Sequence, residues 1–185
     1  MRLFIAAPVE PSRAFSLATQ SLRMTASGVR PVPAESWHIT LRFLGEVDDI
    51  NLVAAAMHGA LAGFATIPAI VRGVGAFPQP CAARVAWAAV DAPGLAQVAE
   101  RVRDATANMG NPPETSDFVP HITLARLKHA CDLTKWIDQH ASTLFFQGDL
   151  SQIVLFSSKL TRLGPVYTRE SVATLRAFPR RPMPS

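Results

Sequence analysis

One tetrapeptide occurs twice in this chain. His38-Ile39-Thr40-Leu41 and His121-Ile122-Thr123-Leu124 lie about half a chain apart. Each alternates apolar and polar residues and is rich in β-branched side chains, so each predicts a strand. Side chains alternate across a strand, which puts His and Thr on one face and Ile and Leu on the other. Both copies would bury the same pair and present the same pair. A chain built this way is expected to bring an imidazole beside a hydroxyl twice, in one site made of two matching halves.

The rest of the sequence supplies a frame for those halves. Residues 3–9 read as a strand, 11–26 as a helix with Pro near its start and Gly28 beyond its end, and 31–36 as a loop leading to the first tetrapeptide. Asp48-Asp49 offers an N-cap for an alanine-rich helix over 50–61. Residues 67–76 and 83–90 read as a hairpin around Phe77-Pro78-Gln79-Pro80, with Gly73 and Gly75 weakening its first strand. Leu95, Val98, Val102, Ala105 and Met109 make the apolar stripe of a helix over 93–109, which Gly110 ends. A polar loop then delivers the second tetrapeptide. A short helix over 132–141 and strands over 144–150, 153–160 and 166–175 complete the chain. Strand, helix, strand, helix, strand thus occurs in the first half and roughly again in the second. The expected fold is α+β and internally duplicated, with two antiparallel sheets facing a central cleft and helices outside. One bilobal domain over 1–178 and a flexible tail over 179–185 are expected.

Composition excludes several classes. The chain has 185 residues, 49% of them apolar, enough for a real core and against disorder. No uninterrupted apolar run approaches the ~18 residues of a membrane span, and the apolar run after Arg2 is too short for a signal-peptide core. Cys81 and Cys131 form no Cys-x-x-Cys pair, so inert thiols in a reducing cytoplasm are expected. A net charge of +4 and a pI near 9.7 suit an anionic partner such as RNA or a nucleotide, although the basic residues are scattered.

The residue types suggest a chemistry. Hydrolysis of a phosphodiester needs a base for the attacking water, an acid for the departing oxygen, and donors for the phosphoryl oxygens. Two imidazoles titrating near ~6.5 can serve as base and acid, and two threonine hydroxyls can donate to the non-bridging oxygens. Neither tetrapeptide has His-x-His or a carboxylate at ligand spacing, so no metal and no other cofactor is expected. Arg42 alternates onto the His38 face and is a candidate for a phosphate or RNA backbone. Phe43 and Trp37 alternate away and read as core. Phe77 and Phe118, in loops, are candidates for stacking on a base, with an ordinary packing role as the alternative.

The two tetrapeptides and their flanks resemble the two-histidine (2H) phosphoesterase superfamily. Within it, Arg2-Leu3-Phe4-Ile5-Ala6, Trp37 to Val47, Arg84-Val85-Ala86-Trp87, Pro120 to Arg126, Leu155 to Leu160 and Gly164-Pro165-Val166-Tyr167 are similar to the bacterial and archaeal RNA 2′,3′-cyclic phosphodiesterases, historically called 2′-5′ RNA ligases. Val119 departs from the basic or His residue that relatives often carry there. The resemblance implies hydrolysis of a terminal 2′,3′-cyclic phosphate to a 2′-phosphate, with His38 as general acid and His121 as general base. It implies Thr40 and Thr123 at the phosphate, together with Arg126. Simple alternation, however, puts Arg126 on the face opposite His121, so the strand must end or bulge by Ala125, or the guanidinium must wrap around an edge. The expected partner is RNA or a nucleotide bearing the cyclic phosphate, and the expected state is a monomer. Two alternatives stay open: the reverse reaction, which joins RNA ends through a 2′-5′ linkage with the same groups, and a non-catalytic nucleotide- or RNA-binding module.

Overall fold

A computed structural model describes residues 1–161 and 164–177; the tail expected over 179–185 lies outside the described residues. The elements run β1 (Arg2–Pro8), α1 (Arg13–Thr25), β2 (Val29–Pro31), β3 (His38–Glu46), α2 (Ile50–Leu61), β4 (Ile67–Phe77), β5 (Ala83–Asp91), α3 (Leu95–Ala105), β6 (His121–Cys131), α4 (Thr134–His140), β7 (Leu144–Leu150), β8 (Gln152–Thr161) and β9 (Gly164–Thr174). The Asp49 cap acts as expected, its carboxylate accepting from the Leu52 amide at the start of α2, whereas α3 ends at Ala105 with Thr106 as its C-cap, short of the Gly110 end expected. β2 has no counterpart in the sequence reading, because Pro31 and the polar residues after it mask a three-residue strand.

The fold is α+β, as expected, but its strands form one sheet. Among the described residues, nine strands join in the order β7-β4-β5-β6-β3-β1-β8-β9, with β2 also paired to β6. Each of these strand pairings is antiparallel. The two sheets expected from the duplication are therefore two wings of a single sheet. The wings join in the ladder at Ile39 opposite Ile122, between β3 and β6. Both strands leave the shared ladder within a few residues of that pair, and β2 takes the vacated place beside β6 at residues 125–127.

The helices cover one face. Phe15, Ala18 and Leu22 of α1, Val53, Met57 and Leu61 of α2, Leu95, Val98 and Val102 of α3, and Trp136 of α4 are buried in one cluster. That cluster includes Leu3, Ile5, Ile39, Leu41, Ile122, Leu124 and Leu155 from the sheet. The Ile and Leu of both tetrapeptides thus anchor the core, as their alternation predicts. A smaller cluster of Phe4, Ala6, Val154 and Phe156, with Tyr167 against it, lies on the other face. His140 ties α4 to α1 through the Ser21 hydroxyl at 2.8 Å. Among the described residues, no helix is long and apolar enough to cross a membrane.

Candidate active site

The site is built around the Ile39–Ile122 pair. In an antiparallel ladder, moving one residue either way from that pair sets His38 opposite Thr123 and Thr40 opposite His121. The two histidines then occupy diagonal corners and the two threonines the other diagonal, all on the face away from the helices. Diagonal neighbours of this kind lie roughly 7–8 Å apart, a span that accommodates a phosphate between two imidazoles.

Immediately after each tetrapeptide the alternation breaks, in the same way both times. β1 pairs Ala6 with Thr40 and Ile5 with Arg42, leaving Leu41 as an extra residue on β3. β5 pairs Trp87 with Thr123 and Ala86 with Ala125, leaving Leu124 as an extra residue on β6. Each extra residue is a bulge that flips the residues directly after it to the other face. In β6 the flip buries Ala125 beside Leu124 and turns Arg126 onto the His121 face, into the cleft. In β3 it buries Arg42 and exposes Phe43, which is 43% accessible. Two expectations are corrected here. Phe43 is not core; it lines the cleft. Arg42 is not on the His38 face. Its guanidinium donates to the Asn111 carbonyl, to Pro112 O at 3.3 Å and to Phe43 O at 3.0 Å, so it is occupied in holding the loop that leads toward His121. Gly110, with φ +64, begins that loop so close to β3 that a Cβ would collide with the Leu44 carbonyl oxygen.

Both imidazoles are held alike. His38 Nδ1 lies 2.6 Å from Ser36 O and His121 Nδ1 lies 2.8 Å from Val119 O. A carbonyl can only accept, so each Nδ1 carries the hydrogen and donates it. Each Nε2 is left as the atom that takes up or gives up a proton. The surroundings differ. His38 packs against Phe4 at 4.9 Å and the edge of Tyr167 at 5.6 Å, with Phe156 at 6.1 Å. Burial in that cage pushes its pKa below the ordinary imidazole value, and the positive charges of His121 and Arg126 act in the same direction against the Ser36 hydrogen bond. His121 meets the edge of Phe77 at 5.1 Å and Trp87 at 6.1 Å. A Cβ on Gly75 would overlap the Trp87 ring, so glycine there makes room for the indole that backs His121.

The cleft measures about 540 Å³, and Thr40, Phe77, His121, Thr123 and Arg126 line it. Phe118 lines it too, while packing partly buried against the core. Sequence reasoning missed the His38 cage. Phe4, Phe156 and Tyr167 come from three strands distant in sequence, and no local pattern marks them as neighbours of a histidine. Among the described residues no group of three or more His, Cys, Asp or Glu side chains is placed to share a metal ion.

Comparison with known proteins identifies relatives of the whole fold. The family model described as the 2′-5′ RNA ligase superfamily matches residues 8–160. The chain is 38% identical over 154 residues to the RNA 2′,3′-cyclic phosphodiesterase of Aeropyrum pernix, covering 80% of this chain and 86% of the relative. It is 31% identical over 172 residues to the enzyme of the same name from Thermotoga maritima, covering 90% and 91%. The crystal structure of a Thermus thermophilus protein superposes with a TM-score of 0.78 at 29% identity, covering 96% of this chain and 99% of that one. On the match across most of its length, this chain belongs to the 2′-5′ RNA ligase superfamily.

Proposed function

We propose that this protein hydrolyses a terminal 2′,3′-cyclic phosphate on RNA to a 2′-phosphate, without a metal, using His38 as general acid and His121 as general base. The observation that carries the reading is the diagonal His–Thr arrangement around Ile39 and Ile122, with both Nδ1 atoms committed to carbonyls. Displacement at phosphorus runs in line, so base and acid belong on opposite sides of the phosphate. Water attacks phosphorus while His121 Nε2 takes its proton; the bond from phosphorus to O3′ breaks, and His38 Nε2–H protonates that oxygen. Thr40, Thr123 and Arg126 donate to the non-bridging oxygens, where charge gathers in the transition state. An imidazolium in the His38 cage is a stronger acid than free imidazolium, which suits a group that must give up its proton. The phosphate's negative charge offsets the repulsion from His121 and Arg126 and so recharges His38 as substrate arrives.

The matching bulges after both tetrapeptides support an internally duplicated, bilobal unit over residues 1–178. Free thiols at Cys81 and Cys131 support a reducing, cytoplasmic setting. A site with both histidines from one chain supports action as a monomer. The test is incubation of purified protein in EDTA with an oligoribonucleotide ending in a 2′,3′-cyclic phosphate, followed by mapping of the product. A 2′-phosphate is expected. Absence of turnover, or activity that returns only with a divalent ion, would overturn the reading.

A further inference from the structure

The strand that sequence reasoning missed carries an arginine that the proposed catalysis does not use. β2 pairs with β6 through Val29–Leu127, Arg30–Arg126 and Pro31–Ala125. Val29 and Leu127 pack into the core, so Arg30 and Arg126 project together from the opposite, cleft-bearing face. Two like charges directly opposite one another in a ladder are destabilising. Even so, no carboxylate among the described residues pairs with either; the described ion pairs join Met1 and Arg2 to Glu46, at another end of the sheet. Lys128 follows on the same face of β6, one alternation beyond Arg126, and is exposed. Its carbonyl accepts from the Arg84 guanidinium at 3.1 Å, which brings a further cation to that end of the strand. Arg30, Arg126, Lys128 and Arg84 thus form a basic strip that no ion pair among the described residues neutralises, while Glu100, Glu114 and Asp117 line the cleft at its Arg126 end.

The strip points from the site in a defined direction. His38 stands opposite Thr123, so Arg126 and everything beyond it lie on the His38 side, and the Arg126 charge acts on His38. That is the side where the departing ribose oxygen must sit if His38 is the acid. The nucleotides that precede the cyclic phosphate leave from that same ribose. Arg126 and Lys128 are two residues apart, about 7 Å along a strand, on the order of one nucleotide step in an extended chain. A second hollow, of about 640 Å³ beside Arg2, Glu46 and Lys159, is not equivalent, because Arg2 there is already paired with Glu46.

We propose that Arg30 and Lys128, with Arg84 at the outer end, bind the upstream phosphodiesters of the substrate, so that the protein selects oligoribonucleotides over cyclic mononucleotides. The proposal rests on the phosphodiesterase reading and names the substrate class of that site. Each single-strand phosphate contact contributes a salt dependence of roughly 0.7 in log–log slope, worth about fivefold at 0.1 M salt. The Arg30→Ala/Lys128→Ala double variant should therefore lose about 10- to 30-fold in kcat/KM on a cyclic-phosphate oligoribonucleotide, mainly through KM. Its salt slope should shrink by about 1.4. Hydrolysis of a nucleoside 2′,3′-cyclic monophosphate should be unchanged, and Arg30→Lys should restore most of the loss. The melting temperature should not fall, because removing Arg30 relieves its repulsion with Arg126. Equal losses on both substrates, or no loss on the oligomer, would overturn the proposal. If the parent turns over neither substrate, the phosphodiesterase reading fails separately. Binding of a fluorescent oligoribonucleotide to parent and double variant then decides the strip alone, and equal affinity across a salt series overturns it.

Discussion

Removing one imidazole at a time tests both the existence and the assignment of the acid–base pair. A positioned acid or base is worth about 10²–10⁴ in rate, or roughly 2.7–5.5 kcal/mol at 1.36 kcal/mol per decade. His38→Ala and His121→Ala should each fall in that range in kcat. The double variant should fall by less than the product of the two, because both groups act on one transition state. Substrate affinity should change little, since Thr40, Thr123 and Arg126 stay on the cleft face. The choice of leaving group also separates the roles. If His38 protonates the leaving oxygen, its loss should matter little for a phosphodiester with an acidic aryl leaving group, which departs without a proton. His121→Ala should stay equally impaired on both substrates. The assays are single-turnover rates on cyclic-phosphate RNA and on an aryl phosphodiester, with circular dichroism to establish folding. A folded His38→Ala protein at the parent rate on RNA refutes the pair; aryl rescue of His121→Ala instead of His38→Ala reverses the roles.

Three further outcomes follow from the surroundings of the site. Burial depresses His38 and also His140, so each favours the neutral form in the folded protein. Their contribution to stability is full above the unfolded value of ~6.5 and is lost as pH falls through the lower folded values; urea midpoints at pH 7.5 and 5.5 should differ less in a His38→Gln/His140→Gln protein, and an identical difference would count against this linkage. Tyr167→Ala opens the His38 cage and should move the His38 pKa up toward the ordinary imidazole value in an NMR titration, whereas Tyr167→Phe should not; no movement in either removes the cage as the cause. Gly75→Ala drives a Cβ into the Trp87 ring; overpacking of this kind costs about 1–3 kcal/mol, and moving the indole that backs His121 should lower kcat as well as the melting temperature. Gly59→Ala, on α2 with nothing within 4 Å, is the control and should leave activity intact.

What could be read from the sequence had a local physical signature. The tetrapeptides, the first part of the α3 stripe and the Asp49 cap each follow from spacing within one element and are found in place, with Leu95, Val98 and Val102 buried; α3 ends at Ala105, which is exposed, so Met109 lies beyond the helix expected to run to 109. Face assignments beyond residues 41 and 124 could not be read by counting, because a bulge is fixed by the partner strand's register. Counting from His38 presents Arg42 beside His38 and puts Phe43 in the core; the Leu41 bulge buries the arginine and exposes the phenylalanine. The same count from His121 puts Arg126 out of reach, and the Leu124 bulge brings it in. The His38 cage and the place of β2 depend on contacts between residues far apart in the chain, which no window along the sequence contains.

The proposed hydrolysis is not symmetric: in it one imidazole takes a proton while the other gives one. The two tetrapeptides are identical, both are followed by a bulge, and both hold Nδ1 on the carbonyl two residues back. Nothing within them can therefore decide which histidine does which. The difference must come from their neighbours, and the neighbours do differ. Two residues beyond the bulge, one wing presents Phe43 and the other Arg126. Phe4, Phe156 and Tyr167 enclose His38, while Phe77 and Trp87 leave His121 lining the open cleft, where water has access. Burial disfavours the charged form of His38, so a proton there is readily released. In the proposed mechanism, an asymmetric reaction on a near-symmetric frame thus takes its direction from side chains outside the motif that marks the site.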